Sequence, residues 1–344
     1  RSLLVSLDGE IVLERYFHGA RASRPANIKS ASKSVMSALV GIAIDQGHIP
    51  SADTPIGRYF PRYLAPDSPK RAITIEDLVS MRSGLESTSS RNYGSWVSSR
   101  SWIRYALEQE LIERPGGRMI YSTGNTHLLS AILTKATRRS TWAVAQEQLA
   151  KPLGFELARW PADPEGVYFG GNDMELTPRQ MWLFGELYRD GGRAGGEQVL
   201  PRQWIERSFI PRGRSQYSGR QYGYGWWMRE LGGLQSYYAW GYGGQFIFLV
   251  PELDLVAVTT SVSTGGEGRR GHLRDVYDVI EQLVERLRPL TRGADLLSRA
   301  APVAQPSTVA GSRFISTLPH TSRRFATRQA RQLTPGTCRG DATA

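Results

Sequence analysis

Cysteine is almost missing from this 344-residue chain. Cys338 stands alone, which excludes an internal disulfide framework and any cysteine-rich zinc site. Long apolar runs are missing too: no stretch approaches the roughly 18 uninterrupted apolar residues of a membrane-spanning helix, so no membrane span is expected. His18, His48, His127, His272 and His320 are scattered without a His-x-x-x-His spacing. Each reads as a surface or packing residue, and neither a metal nor another cofactor is expected. A Gly-x-Ser-x-Gly elbow and a Walker loop are also absent, and the run from Gly241 fails as Gly-x-Gly-x-x-Gly because Phe246 stands where its third glycine would be. Nucleotide chemistry is therefore not expected.

What is present suits a globular protein of one large domain or two modest ones: 40% of residues are hydrophobic, 22% are charged and the net charge is +11. The basic excess is uneven. Beyond position 288, eight Arg face only Asp295 and Asp341, with no Lys and no sustained apolar period. Residues 289–344 therefore read as a basic, disordered tail following a domain over 1–288. A nucleic-acid arm is the less favoured reading of that tail, because Phe314 and Phe325 are its only aromatics. The chain opens at Arg1 and runs directly into Leu3, Leu4 and Val5, which is compatible with a leader or helix having been cut away; cellular location is left open.

Local patterns give an α+β fold. Apolar runs at 3–6 and 11–17 flank Asp8-Gly9, a pair suited to the positive φ angles of a tight hairpin. Met36, Leu39, Val40 and Ala43 recur at helical spacing over 32–46, with Gly47 as a stop. Thr74 with Asp77, and Thr177-Pro178-Arg179-Gln180, read as capping boxes opening further helices, and 126–137 reads as another. Short Tyr/Trp/Phe/Val-rich runs at 222–229, 236–240, 245–250 and 255–261 read as antiparallel strands, followed by a helix over 272–288. Strands at both ends and helices between imply one antiparallel sheet assembled from the two chain ends, flanked by helices, with an inserted helical lobe.

One serine–amine pair stands out chemically. Ser30-Ala31-Ser32-Lys33 sets a hydroxyl and an amine on one face at a helix start, and a lysine held neutral by burial can take the serine's proton. Five lysines occur and only Lys33 has a serine three residues before it, a match that chance would give about a third of the time. Tyr121, just ahead of an apolar helix, adds a phenol; beside an ammonium its pKa would fall and it could relay a proton. A lone tyrosine there is otherwise a buried aromatic. Trp240-Gly241-Tyr242-Gly243-Gly244 marks either a close backbone approach or a plain hairpin bend.

Together these residues resemble the serine β-lactamase and penicillin-binding-protein superfamily, in its class C-like branch of esterases, D-stereospecific peptidases and 6-aminohexanoate-dimer hydrolases. The likeness spans about 3–288. It includes Leu78-Val79-Ser80-Met81-Arg82-Ser83-Gly84-Leu85, the stretch 170–192 and Tyr222-Gly223-Tyr224-Gly225-Trp226-Trp227. The resemblance implies Ser30 as acylated nucleophile, Lys33 as its activating partner and Tyr121 as proton relay. It further implies an oxyanion hole from the backbone N–H groups of Ser30 and Tyr242, with Trp240, Gly241, Gly243 and Gly244 lining the acyl group. Two departures stand out. The family's Tyr-x-Asn appears as Tyr121-Ser122-Thr123, leaving Asn125 as the amide that could reach the site, and the Lys-Thr-Gly triplet has no match. The expected activity is hydrolysis of a small ester or amide through an acyl-serine. β-Lactamase or D,D-peptidase action, or an idle penicillin-binding sensor, is the alternative. Tyr168, Trp182, Tyr222, Trp226, Trp240 and Tyr242 are candidate cleft aromatics, with Tyr93 as an overhanging residue.

Overall fold

Asp8 and Gly9 both take positive φ, 48° and 79°, so the two-residue turn matches the strand twist and joins Ser2–Leu7 to Glu10–Tyr16 as a hairpin. The computed structural model describes residues 1–262 and 268–300, with side chains described for 1–262 and 271–288. Ser2–Leu7 pairs on its other side with Leu255–Thr260, and this joins the two ends of the folded unit in one sheet. Across that eight-stranded sheet the order is Glu10–Tyr16, Ser2–Leu7, Leu255–Thr260, Gln245–Val250, Leu234–Gly241, Trp227–Leu231, Gln221–Tyr222 and Gly213–Arg214.

The two sheet faces separate by strand parity. Ile247, Leu249, Val256 and Val258 pack on one side with the helices Ser32–Asp45 and Pro178–Arg189, whereas Phe246, Phe248, Leu255 and Ala257 pack on the other. Tyr277, Ile280 and Val284 of the last helix cover that second face. The helical lobe carries Ile75–Val79, Trp102–Glu108 and Thr123–Thr137. Both capping boxes form as expected, Thr74 with Asp77 and Thr177 with Gln180.

The largest departures from the expected boundaries are three. Thr123–Thr137 begins three residues early. The run 222–229 is broken because Gly223 and Gly225 pass against other backbone: a Cβ on Gly223 would stand 2.1 Å from the Ser208 carbonyl oxygen, and one on Gly225 3.0 Å from that of Lys33. The last helix spans Gly268–Ala300 rather than 272–288. Residues 301–344, and with them Cys338 and most of the expected basic tail, lie outside the described residues. No described helix is long and apolar enough to cross a membrane.

Candidate active site

Ser30 sits in a single 3-10 turn, Lys29–Ala31, that runs directly into the helix Ser32–Asp45. Lys29 holds φ at 52°, a conformation that costs a non-glycine residue energy and persists only when neighbours impose it. They do so here. The Lys29 N–H donates to Asn27 Oδ1 at 2.9 Å, and Ser32 Oγ donates to the Lys29 carbonyl at 2.7 Å. Gly241, the last residue of Leu234–Gly241, presses on the same turn, because a Cβ there would lie 2.0 Å from the Ile28 carbonyl oxygen. The strand end and the serine turn are thus in backbone contact.

From Ser32 to Ala43 every residue of the following helix is buried, so it threads the core and carries Lys33 in with it. Lys33 is 1% exposed. Its Nζ lies 3.0 Å from Ser30 Oγ, 3.2 Å from Thr123 Oγ1 and 2.7 Å from the Gly171 carbonyl oxygen. Burial disfavours the ammonium and brings the pKa from 10.5 down to about 7. The amine is therefore available as a base near neutrality while it touches the hydroxyl.

Tyr121 lies beside this pair, with Nζ of Lys33 5.2 Å from its ring centroid and its phenol near enough to Ser30 for the serine to act on its pKa. The expected fall in its pKa does not occur. Burial pushes the phenol up to about 12, and the influence of Ser30 only partly offsets this. The reason is that the neighbouring lysine is itself held near neutrality and supplies little positive charge. Ser30 and Tyr121 open onto a cleft of about 770 Å³, walled on one side by Trp227, Trp240 and Tyr242 and on the other by Ser87, Ser89 and Ser90. Trp227 stacks on Tyr121 with ring centroids 5.7 Å apart.

The structure brings Ser30, Lys33, Tyr121, Trp240 and Tyr242 together, with Gly241 wedged behind Ser30. Gly243 and Gly244 make the turn beyond, with φ of 88° and 99°. Asn125 does not reach the site. It is 1% exposed and its Oδ1 accepts from Ser83 Oγ at 3.0 Å. The early start of its helix puts Thr123 in the first turn facing Lys33 and turns Asn125, two residues on, away from it. Of the other candidate aromatics, Trp226 is buried against Tyr188 and Tyr222 lies behind Tyr121 and Trp227. Trp182 donates to Ser6 near the first hairpin, Tyr168 packs on Trp160, and the Tyr93 hydroxyl is bound by Asn172. Thr123, Gly171, Ser89 and Trp227 were missed. The glycine pair at 170–171 and the third position of Tyr121-Ser122-Thr123 were the available signals for two of them. Among the described residues no group of three His, Cys, Asp or Glu side chains is placed to hold a metal.

The beta-lactamase family model matches residues 2–281. The chain belongs to the beta-lactamase family. As a member it is a serine hydrolase, and its α+β architecture is shared with solved structures of that fold. It is similar to a 6-aminohexanoate-dimer hydrolase of Paenarthrobacter ureafaciens, 26% identical over 298 residues that cover 79% of this chain and 74% of that protein. A penicillin-binding protein homologue from Pyrococcus abyssi, solved as an octamer, superposes with a TM-score of 0.64 at 18% identity, covering 77% of this chain and 70% of that one. A family VIII carboxylesterase does so with a TM-score of 0.61 at 16% identity, covering 79% and 90%. At such identities these two likenesses concern the fold of this beta-lactamase-family chain.

Proposed function

We propose that this protein hydrolyses an uncharged ester or amide through a covalent acyl-Ser30 intermediate. One observation carries the reading: a buried amine with a pKa of about 7 lies 3.0 Å from a hydroxyl that opens onto a cleft. Neutral Lys33 takes the Ser30 proton as Oγ bonds to the substrate carbonyl carbon, and the carbonyl π electrons move onto oxygen. The backbone N–H groups of Ser30 and Tyr242 are assigned to that oxyanion. Collapse of the tetrahedral species expels the alcohol or amine, which takes a proton from the Tyr121 phenol, and Tyr121 recovers it from the Lys33 ammonium. Water then repeats the sequence on the acyl-enzyme and releases the acid.

Cleft chemistry supports an apolar acyl or leaving group. Trp227, Trp240 and Tyr242 form one wall, while the rim cations are already engaged, Arg91 with Glu86 and Arg118 with Glu113 at 3.1 Å. A carboxylate-bearing β-lactam would find no lysine in the 240–244 stretch, which favours esterase or amidase action over lactam hydrolysis.

Incubation with a fluorophosphonate probe should add one adduct, on the peptide bearing Ser30, and block turnover of p-nitrophenyl butyrate; an adduct elsewhere overturns the reading. Labelling without turnover would favour the idle sensor.

The pH profile follows from the two buried groups. The active form needs Lys33 deprotonated and Tyr121 protonated. The acylation rate should therefore rise about tenfold per unit below about pH 6, level off above about pH 8, and decline only as the phenol titrates near 12. A rate that is flat between about pH 5 and 9 would contradict this assignment.

A further inference from the structure

His127 and Asp163 form a buried pair that the chemistry above does not use. Both side chains are 0% exposed, and His127 Nε2 lies 2.9 Å from Asp163 Oδ2. The imidazole is packed among the rings of Trp96, Trp102 and Phe169, at centroid distances of 5.8, 5.3 and 6.1 Å. Such a pair costs several kcal/mol to desolvate, and an apolar side chain would suit three aromatic neighbours better.

Its hydrogen bonds lead to the active site. The Gly170 N–H donates to His127 Nδ1 at 3.4 Å, so Nδ1 is the acceptor and the ring proton sits on Nε2, donated to Asp163. The other carboxylate oxygen, Oδ1, accepts the N–H groups of Glu165 at 2.9 Å and Val167 at 2.8 Å, which fixes the carboxylate. The next residue along, Gly171, gives its carbonyl to Lys33 Nζ at 2.7 Å. Gly170 and Gly171 lie flat on the helix Thr123–Thr137: a Cβ would stand 2.1 Å from the Thr126 carbonyl oxygen in the first case and 2.3 Å from Thr126 Oγ1 in the second. A segment without side chains can be anchored only through its backbone.

We infer that His127, oriented by Asp163, is a positioning residue that anchors Gly170 and so holds the Gly171 carbonyl against the Lys33 amine. This rests on Lys33 acting as the base for Ser30. Around that amine stand Ser30, Thr123, Tyr121 and Gly171. If Gly171 shifts and water enters, the ammonium is better solvated and the rate inflection moves to higher pH.

Two conservative variants separate positioning from packing. In His127→Asn the amide oxygen can stand near the Nδ1 position and still accept from Gly170, whereas the longer His127→Gln amide reaches the Nε2 position and serves Asp163 instead. Both lose ring volume. We expect similar losses in melting temperature for the two. His127→Asn should keep the wild-type inflection of fluorophosphonate labelling, and His127→Gln should raise it by about one unit and slow labelling at pH 7 by about ten- to a hundredfold. If His127→Gln does not fold, Asp163→Asn serves. Its amide nitrogen avoids two N–H donors only by facing Nε2, which drives the ring proton to Nδ1 against the Gly170 N–H, and the inflection should rise here too. An unshifted inflection in both His127→Gln and Asp163→Asn overturns the inference. Ser30→Ala is the control for the underlying reading: labelling that survives it refutes the acyl-serine proposal, independently of what the His127 variants do.

Discussion

Lys33→Met should lower the acylation rate by about three orders of magnitude while making the fold more stable at neutral and acidic pH. The two effects share one cause. Depressing the lysine pKa from 10.5 to about 7 corresponds to roughly 5 kcal/mol by which the folded environment disfavours the ammonium. Below about pH 7 the lysine is protonated in both folded and unfolded chains, so the whole penalty weighs on the folded state. Between about 7 and 10.5 the unfolded chain binds a proton that the folded chain does not, and stability climbs with pH until the penalty has vanished. Methionine has no proton to bind and fills a similar volume. It leaves the Gly171 carbonyl without its Lys33 donor, at a cost of about 1–3 kcal/mol, which is smaller than the penalty removed. Urea unfolding of both proteins at several pH values should show Lys33→Met ahead by a few kcal/mol at pH 6, with the gap closing towards pH 10. A gap independent of pH would mean that Lys33 is not buried as an amine.

The sequence announces what is local. Asp8-Gly9 specifies its turn through backbone sterics, Thr74 with Asp77 and Thr177 with Gln180 specify helix starts through their own hydrogen bonds, and Ser30 with Lys33 needs one helical turn to meet. Each requires nothing beyond four consecutive residues. What stayed hidden is set by distant parts of the chain. That Trp227 faces the cleft and Trp226 the core depends on where the chain breaks at Gly223 and Gly225, and this is decided by contact with Ser208 and Lys33 backbone. Asn125 carries the amide that the likeness called for. Thr123 is nevertheless the partner of Lys33, because a helix start three residues early rotates one towards the amine and the other away. The direction of the Tyr121 shift was likewise tertiary. An expected ammonium neighbour proved to be an amine held near neutrality, and burial then dominated.

Gly241→Ala should be the most damaging single methyl group at this site. The added carbon would stand 2.0 Å from the Ile28 carbonyl oxygen and 3.0 Å from Gln245 Cβ, so either the strand Leu234–Gly241 or the turn before Ser30 must move by more than 1 Å. Neither is free to yield. The turn is held by Asn27, by Ser32 and by the constrained φ of Lys29, while the strand pairs with Gln245–Val250 on one side and Trp227–Leu231 on the other. Residual displacement separates the backbone N–H groups of Ser30 and Tyr242, and a misplacement of that order costs about a hundredfold in rate. Overpacking of this kind also destabilises by about 1–3 kcal/mol. Gly243→Ala provides the comparison, since its φ of 88° makes it strained as well, but in the turn rather than against the serine. We expect Gly241→Ala to lose about a hundredfold in kcat with KM little changed, and Gly243→Ala to lose stability with a smaller loss of rate. Equal losses of rate in the two variants would show that the contact between Gly241 and Ile28 does not set the geometry around Ser30.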